Sequence, residues 1–156
     1  MTDPTAPPVN PLALEEQVCF ALAVAARNVV ALYRPLLEPM GLTHPQYLVM
    51  LALWEHDSMT VGELSAALQL TPATLSPLLR RLEAQDYLHR GRHRPDERVV
   101  HVTLTPRGRE LRAEALRVPA AVVERLGVDL ADLERLRGEL QWVIERSQQE
   151  VVPAAG

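Results

Sequence analysis

The sequence contains one cysteine and no lysine, and these two scarcities limit the chemistry available to it. A single cysteine cannot form a disulfide within the chain, and five scattered histidines without a cysteine pair do not predict a zinc site. We therefore expect no metal and no cofactor. Because no run of about 18 uninterrupted apolar residues occurs, we also expect no membrane span.

Both ends of the chain have the composition of loose segments. Residues 1–11 are proline-rich and lack the basic start and apolar centre of a secretory signal, so they are predicted to be a flexible arm. Residues 151–156 are predicted to be a flexible tail. With 47% hydrophobic and 23% charged residues the chain is globular in composition. We expect residues 12–150 to form one domain in the cytoplasm.

The net charge of −4 by itself argues against a nucleic-acid partner, but the charge is unevenly distributed. Residues 80–98 contain six arginines against four acidic residues, a net charge of +2 with neutral histidines. Every basic residue is arginine, whose planar guanidinium suits phosphate and guanine contacts. Biased codon usage would explain a lysine-free chain equally well.

Apolar residues at helical spacing predict helices over most of the chain. Asn10 and Pro11 form a cap and first-turn pair for one long first helix. Thr43 and Thr60 each begin a capping box, so two further helices should start there. Residues 106–126 are predicted to form another single helix, and Asp129 should cap the last one.

A helix-turn-helix unit is predicted where two short helices meet at the segment LQLTP. The leucines of the second helix recur at core spacing, and its opposite face carries small and polar side chains followed by arginine. Such a face would fit a major groove and contact phosphates, although an ordinary solvated face is the alternative. The candidate DNA contacts are Thr71, Ala73, Thr74, Ser76, Pro77, Arg80 and Arg81.

The segments YLHRGR and RVVHVTLT predict two strands that are joined through HRPDE as a β-hairpin. A hairpin directly after such a helix is a wing, and an arginine-rich tip can enter the minor groove of A·T-rich DNA. The candidate contacts are Arg92, Arg94 and Arg98, with Asp96 orienting Arg98. The alternative is a solvent-exposed turn whose charges neutralise one another.

The first and last helices carry apolar rows that a winged-helix domain of this size cannot cover. A symmetric dimer in which these helices pack together would cover them and would place two recognition helices along an inverted-repeat DNA. We therefore predict a mainly α fold with a small β-hairpin wing. Residues 43–104 would form the DNA-binding winged helix, and residues 12–40 and 106–150 the dimerisation helices.

In this order, the elements and the motifs RPDER and LTPRG resemble the MarR family of winged-helix regulators across essentially the whole chain. The segments LEEQVCFAL, LYRPLL, GLTHPQYLVMLALWE and ATLSPLLRRLE resemble more narrowly its organic hydroperoxide-sensing, OhrR-type branch. The resemblance implies a homodimeric repressor rather than an enzyme. Organic hydroperoxide would oxidise Cys19, and the dimer would then leave an A·T-rich inverted repeat.

The resemblance also implies donors that activate Cys19, at positions matching Tyr33 and His44, with Tyr47 as a further candidate. The branch often has tyrosine where this chain has Ala23 and His44. Tyr33 lies roughly 21 Å beyond Cys19 along a continuous helix at ~1.5 Å per residue, so it would act on Cys19 of the partner subunit. Without a second cysteine, oxidised Cys19 would proceed to a mixed disulfide with a low-molecular-weight thiol, a sulfenamide or irreversible acids.

Two other functions stay open. A free cysteine on an apolar helix is usually a small buried hydrophobe, and Cys19 in about the third turn of a long helix would gain little from the helix dipole. The protein would then be a MarR-type regulator of a small aromatic or acidic ligand, with an inert Cys19. A thiol peroxidase is the third possibility, although the chain lacks the strand-rich pattern of a thioredoxin-like scaffold.

Overall fold

The computed structural model describes residues 10–92 and 98–151, which are mainly helical with a small antiparallel sheet. The chain divides into two compact units, Met1–Ala115 and Leu116–Gly156. The first unit contains 3-10 turns at Leu14–Glu16 and Glu38–Met40 and the helices α1 (Val18–Leu37), α2 (His44–His56), α3 (Val61–Leu68), α4 (Pro72–Ala84) and α5 (Pro106–Ala115). Its strands are β1 (Ser58–Thr60), β2 (Leu88–Arg92) and β3 (Val100–Leu104). The second unit contains α6 (Val118–Leu126) and α7 (Leu130–Val151).

The first helix begins later than the sequence predicted. Asn10 does cap a turn, because its Oδ1 accepts the backbone N–H of Leu12 at 3.1 Å, but that turn leads only into the short 3-10 turn. Gln17 is extended, with φ −87° and ψ 116°, so α1 starts at Val18. The prediction of one continuous helix from Pro11 was wrong, and Cys19 is the second residue of α1 rather than part of its third turn.

The predicted helix over residues 106–126 is also interrupted. It forms α5 and α6, and Pro119 lies in the first turn of the second of these. A proline ring collides with the carbonyl four residues earlier, which here belongs to Ala115, the last residue of α5. The signal for this break was present in the sequence.

The core of the first unit lies between α2, α3, α4 and the sheet. Val49, Met50 and Leu53 of α2 have no exposed surface. On α4 the leucines predicted to face inward are buried, except for Leu78, which is half-buried. Gln46 is buried because its side chain completes the start of α2, where its Oε1 accepts the backbone N–H of Thr43 at 2.9 Å.

The sheet has one strand more than the predicted hairpin. Its order is β1-β3-β2, with Met59 opposite Val102 and Leu88 opposite Leu104. These four side chains are all buried. β1 has three residues, too few to show the alternation that identifies a strand in a sequence. β1, the additional strand, connects the sheet of the wing to the start of α3.

Two long helices present apolar side chains to solvent in the described chain. Val18 of α1 is 69% exposed, and Trp142 of α7 is 60% exposed. The stretch Val18–Met40 is long and apolar enough to cross a bilayer by length and composition alone, which the sequence was not expected to contain. A helix that packs against a protein partner meets the same two criteria.

Candidate DNA-binding surface and redox site

The turn between α3 and α4 is held by local hydrogen bonds. Gln69 ends α3 in the left-handed region at φ 52°, and the backbone N–H of Leu70 donates to the Ser65 carbonyl at 3.0 Å. Thr71 then caps α4, because its Oγ1 accepts the backbone N–H of Thr74 at 3.3 Å. This geometry is the predicted helix-turn-helix.

The face of α4 that the sequence assigned to DNA is open to solvent. Pro77 lies on this face and has no N–H to donate to the Ala73 carbonyl, so α4 lacks one backbone hydrogen bond there. Ser76 is half-buried. The exposed members are Thr71, Ala73, Thr74, Pro77, Arg80 and Arg81.

The wing is formed by β2 and β3, which pair from Leu88 opposite Leu104 to Arg92 opposite Val100. Arg92, at the end of β2, and Arg98, just before β3, are both exposed. Arg94 and Asp96 lie outside the described residues, so the orientation of Arg98 by Asp96 stays a prediction.

Arg90, counted in the sequence as part of the basic segment, is paired with a carboxylate instead. Its Nε and Nη2 donate to Glu83 Oε2 at 2.9 and 2.7 Å, and its backbone N–H donates to Glu83 Oε1 at 2.9 Å. The backbone hydrogen bond, together with the guanidinium, lowers the pKa of Glu83 against the opposing effect of partial burial. No sequence periodicity marks this pair, because the two residues belong to different elements.

Three of the four predicted redox residues lie together in the first unit. The ring centroids of Tyr33 and His44 are 4.8 Å apart in an edge-on arrangement, and those of Tyr33 and Tyr47 are 5.9 Å apart. Tyr47 is buried, while Tyr33 and His44 are half-buried. We call Tyr33, His44 and Tyr47 the donor cluster.

Cys19 is exposed in the first turn of α1, where the positive end of the helix dipole favours an anionic side chain. Because Tyr33 lies later on the same continuous helix, roughly 21 Å away at ~1.5 Å per residue, the donor cluster cannot reach Cys19 of its own chain. Within one protomer the structure separates the sulfur from its predicted donors.

Burial favours the uncharged forms of two members of the donor cluster, His44 and Tyr47. Burial lowers the pKa of His44 from its ordinary value of 6.5, so the imidazole is neutral. Burial, followed by the nearby Tyr33, raises the pKa of Tyr47 above its ordinary value of 10.0. A neutral imidazole still carries one N–H, so His44 can donate a hydrogen bond as a phenol does.

A cleft of about 690 Å³ lies beside His44, between α1 and the start of α2. Two arginines, the carboxylate of Glu38 and several apolar side chains form its wall, so the arginines outnumber the acid and the cleft suits a small ligand with an acidic group. Its lining includes Arg27, Val30, Ala31, Arg34, Leu42 and Pro45. Across residues 10–92 and 98–151, the structure contains no group of three or more histidine, cysteine or acidic side chains able to hold a metal.

A helix-turn-helix with an exposed arginine-bearing helix, followed by a β-wing, defines the class of winged-helix DNA-binding regulators. The family model "Transcriptional regulator SarA/Rot" matches residues 31–115. An organic hydroperoxide resistance transcriptional regulator of Bacillus subtilis is 37% identical over 136 residues, which cover 87% of this chain and 92% of that protein. The regulator TtmR of Methylorubrum extorquens is 42% identical over 131 residues, which cover 84% of this chain and 67% of that protein.

Solved structures agree with these relatives. AbfR of Staphylococcus epidermidis has a TM-score of 0.73 at 28% identity and covers 87% of this chain and 94% of its own. Reduced AbfR bound to DNA has a TM-score of 0.71 at 29% identity, and the match covers 85% of this chain and 93% of the AbfR chain. Overoxidized AbfR bound to DNA gives the same values.

This chain belongs to the MarR family of winged-helix transcriptional regulators, in the branch of the organic hydroperoxide resistance regulators. The family is dimeric and binds DNA, and the relatives and structural neighbours named above are transcriptional regulators rather than enzymes. The predictions of family, of fold class and of a regulator rather than a thiol peroxidase are confirmed.

Proposed function

We propose that this protein is a homodimeric repressor that senses organic hydroperoxides through Cys19 and then releases an A·T-rich inverted repeat. The observation that carries the proposal is the donor cluster, which is preassembled but roughly 21 Å from Cys19 of its own chain at ~1.5 Å rise per residue. A donor cluster that its own Cys19 cannot reach fits a thiolate that arrives from the partner subunit.

The exposed apolar surface of α1 supports an arrangement across two chains. Val18, Phe20, Leu22 and Val30 are between 36% and 69% exposed in the protomer. Large apolar side chains in a row are normally covered by a protein partner. If two copies of α1 run past each other in opposite directions, Cys19 of each approaches the donor cluster of the other.

The proposed chemistry is a two-electron oxidation of sulfur. The Cys19 thiolate attacks one oxygen of the hydroperoxide, a sulfur–oxygen bond forms, the oxygen–oxygen bond breaks and the second oxygen leaves as an alcohol after taking a proton. A low-molecular-weight thiol can then displace water from the sulfenic acid and form a mixed disulfide. Solved structures of AbfR, which is 29% identical to this chain, include reduced and overoxidized states, and this precedent supports a regulator of this fold whose oxidation state changes.

The proposed operator contacts are the exposed face of α4 and the arginines at the wing. Arg80, Arg81, Arg92 and Arg98 would neutralise phosphates and release counterions, so binding should weaken steeply as salt rises. Arg94 and Asp96 belong to the same proposed wing contact. Such a regulator would act in the cytoplasm, where its DNA is.

Cys19→Ser tests the sensor directly. Serine preserves the size of the side chain without an oxidisable sulfur, so the variant should bind DNA as wild type does and should no longer be released by cumene hydroperoxide. The readout is fluorescence anisotropy of a labelled duplex before and after peroxide, with intact mass to identify the sulfur product. Release that persists in Cys19→Ser would refute Cys19 as the sensor.

Arg98→Ala tests the operator contact separately, and it should weaken DNA binding of the reduced dimer and reduce its salt dependence. Unchanged binding would refute the wing contact and leave the sensor proposal standing.

The cleft beside His44 favours one second candidate, a regulator that responds to a small aromatic or acidic ligand with an inert Cys19. Arg27 and Arg34 would bind the acidic group, and the apolar wall would hold the ring. Salicylate is a suitable probe: release of DNA by salicylate in both wild type and Cys19→Ser would support this function over peroxide sensing.

A further inference from the structure

The pair formed by Glu83 and Arg90 lies where the helix proposed to enter the major groove meets the proposed wing. Glu83 is in the last turn of α4, and Arg90 is in the middle of β2. Three hydrogen bonds of 2.7 to 2.9 Å join them, one from the backbone and two from the guanidinium. His89 adds a weaker contact, with its Nδ1 3.6 Å from Glu83 Oε1. We call Glu83 and Arg90 the clamp.

The clamp engages both the backbone and the side chain of β2. The turn before it is held by backbone bonds from Asp86 to the Glu83 carbonyl at 2.9 Å and from Tyr87 to the Leu82 carbonyl at 3.0 Å. These bonds hold only the start of β2. The clamp lies farther out, two residues before Arg92, so it adds a second direct link between α4 and the hairpin.

Arg90 differs in its surroundings from the arginines proposed to contact DNA. Its side chain is 29% exposed, and that of Glu83 is 30% exposed. A phosphate could take its guanidinium only by displacing Glu83 Oε2, which already accepts hydrogen bonds from both Nε and Nη2, and Glu83 would then be half-buried without its guanidinium partner. Arg80 and Arg92, by contrast, are exposed.

We propose that the clamp sets the angle between α4 and the wing, and that Arg90 is therefore a positioning residue for operator binding rather than a phosphate contact. The inference rests on the proposed DNA-binding surface. Glu83 then increases the affinity for DNA by positioning the wing, although its negative charge repels DNA. Removal of that charge should weaken binding if the positioning role dominates, and it should strengthen binding if only the repulsion is lost.

The test uses the full-length reduced dimer and a fluorescein-labelled duplex of about 30 base pairs, long enough for two half-sites and selected by the wild-type protein from a random pool. Glu83→Gln removes one negative charge, and Arg90→Lys keeps the charge but removes the fork geometry. Each should weaken binding about tenfold, the scale of one charge-assisted hydrogen bond. The double variant should bind no more weakly than either single variant, because both break the same interaction.

The control for charge is Glu55→Gln, the same substitution at an exposed position on α2. It should leave affinity unchanged or raise it slightly. The control for a phosphate contact is Arg80→Ala, which should reduce the slope of log K against log salt by about 0.9 for each phosphate that is no longer neutralised. Glu83→Gln should keep the wild-type slope, and so should Arg90→Ala, which removes the guanidinium charge altogether. Circular dichroism and size-exclusion chromatography establish that each variant is a folded dimer.

Tighter binding by Glu83→Gln, additive effects in the double variant or a reduced salt slope for Arg90→Ala would each overturn the clamp. If Glu83→Gln does not fold, Arg90→Ala decides the question by the same slope. Wild-type affinity and slope in Arg80→Ala would refute the DNA-binding surface of α4 itself, and the positioning role with it.

Discussion

Gly108 is the position in the structure where one added methyl group should have the largest effect on stability. It is the third residue of α5, and its backbone makes two hydrogen bonds: its N–H donates to Thr105 Oγ1 at 3.0 Å, and its carbonyl accepts Trp54 Nε1–H at 2.8 Å. A Cβ at this position would collide with the carbonyl oxygen of Tyr87 and would lie 2.9 Å from its carbonyl carbon. Glycine is required because α5 passes directly against this backbone.

The free energy of unfolding should fall in Gly108→Ala although alanine is the better helix former. Helix propensity would favour alanine by about 1 kcal/mol. Overpacking in a core costs about 1–3 kcal/mol when side chains can adjust, and here the main obstacle is backbone, which can move only if α5 shifts. A backbone collision should cost about 4 kcal/mol, above that range, and subtraction of the propensity gain leaves a net decrease of about 3 kcal/mol, or about 6–12 °C in Tm for a chain of this size.

Urea unfolding followed by circular dichroism measures the change, at one protein concentration because the stability of a dimer depends on concentration. Gly62→Ala is the matched control. It is also a helical glycine, and its nearest obstacle would be Thr60 Oγ1 at 3.9 Å, an ordinary contact. This control should be neutral or more stable by up to about 1 kcal/mol. Gly108→Ala as stable as Gly62→Ala would refute the close approach.

Three further predictions concern Tyr87 and the donor cluster. Tyr87→Phe removes the buried hydrogen bond from the Tyr87 hydroxyl to the Met40 carbonyl at 2.8 Å and should cost about 1–2 kcal/mol in urea unfolding; a change below experimental error would contradict it. Because burial lowers the pKa of His44, its NMR titration midpoint should lie below 6.5, and the unfolded chain should bind more protons just below that pH. The stability contributed by His44 is therefore full above pH 6.5 and falls as the pH drops towards the folded pKa; a midpoint above 6.5 would reverse this sign. His44→Ala should slow oxidation of Cys19 by cumene hydroperoxide near pH 7 in stopped flow, while His44→Tyr should restore the rate because a phenol also donates; superimposable pH profiles for the three proteins would exclude His44 from the site.

Local signals in the sequence identified the elements of the DNA-binding part correctly, except for the short strand β1. The capping residues Thr60 and Thr71, the leucine spacing of α4 and the change to β-branched alternation after Tyr87 each depend on residues within one or two turns of each other. Interactions at that range are the same in a short segment as in the folded chain, which is why helix-turn-helix and wing could be predicted. The order of those elements then carried the resemblance to the family.

Pro119 was a local signal for the break between α5 and α6, but the apolar pattern of residues 106–126 favoured one continuous helix. The late start of α1 has a different cause. Asn10 and Pro11 look like a helix start in the sequence, but the turn that they begin ends at Gln17, which is extended. This difference matters for function, since it moves Cys19 from the interior of a long helix to the exposed first turn of α1.

The sequence by itself determined the fold class, the family and which side chains are available for redox and DNA chemistry, because those depend on composition and local pattern. The tertiary structure decided how these side chains are combined. It brought Tyr33, His44 and Tyr47 into one cluster, paired Glu83 with Arg90 and placed Gly108 against Tyr87, and no periodicity encodes these contacts. Each of them joins residues on different elements, so each exists only after the hydrophobic core has packed the helices and the sheet together.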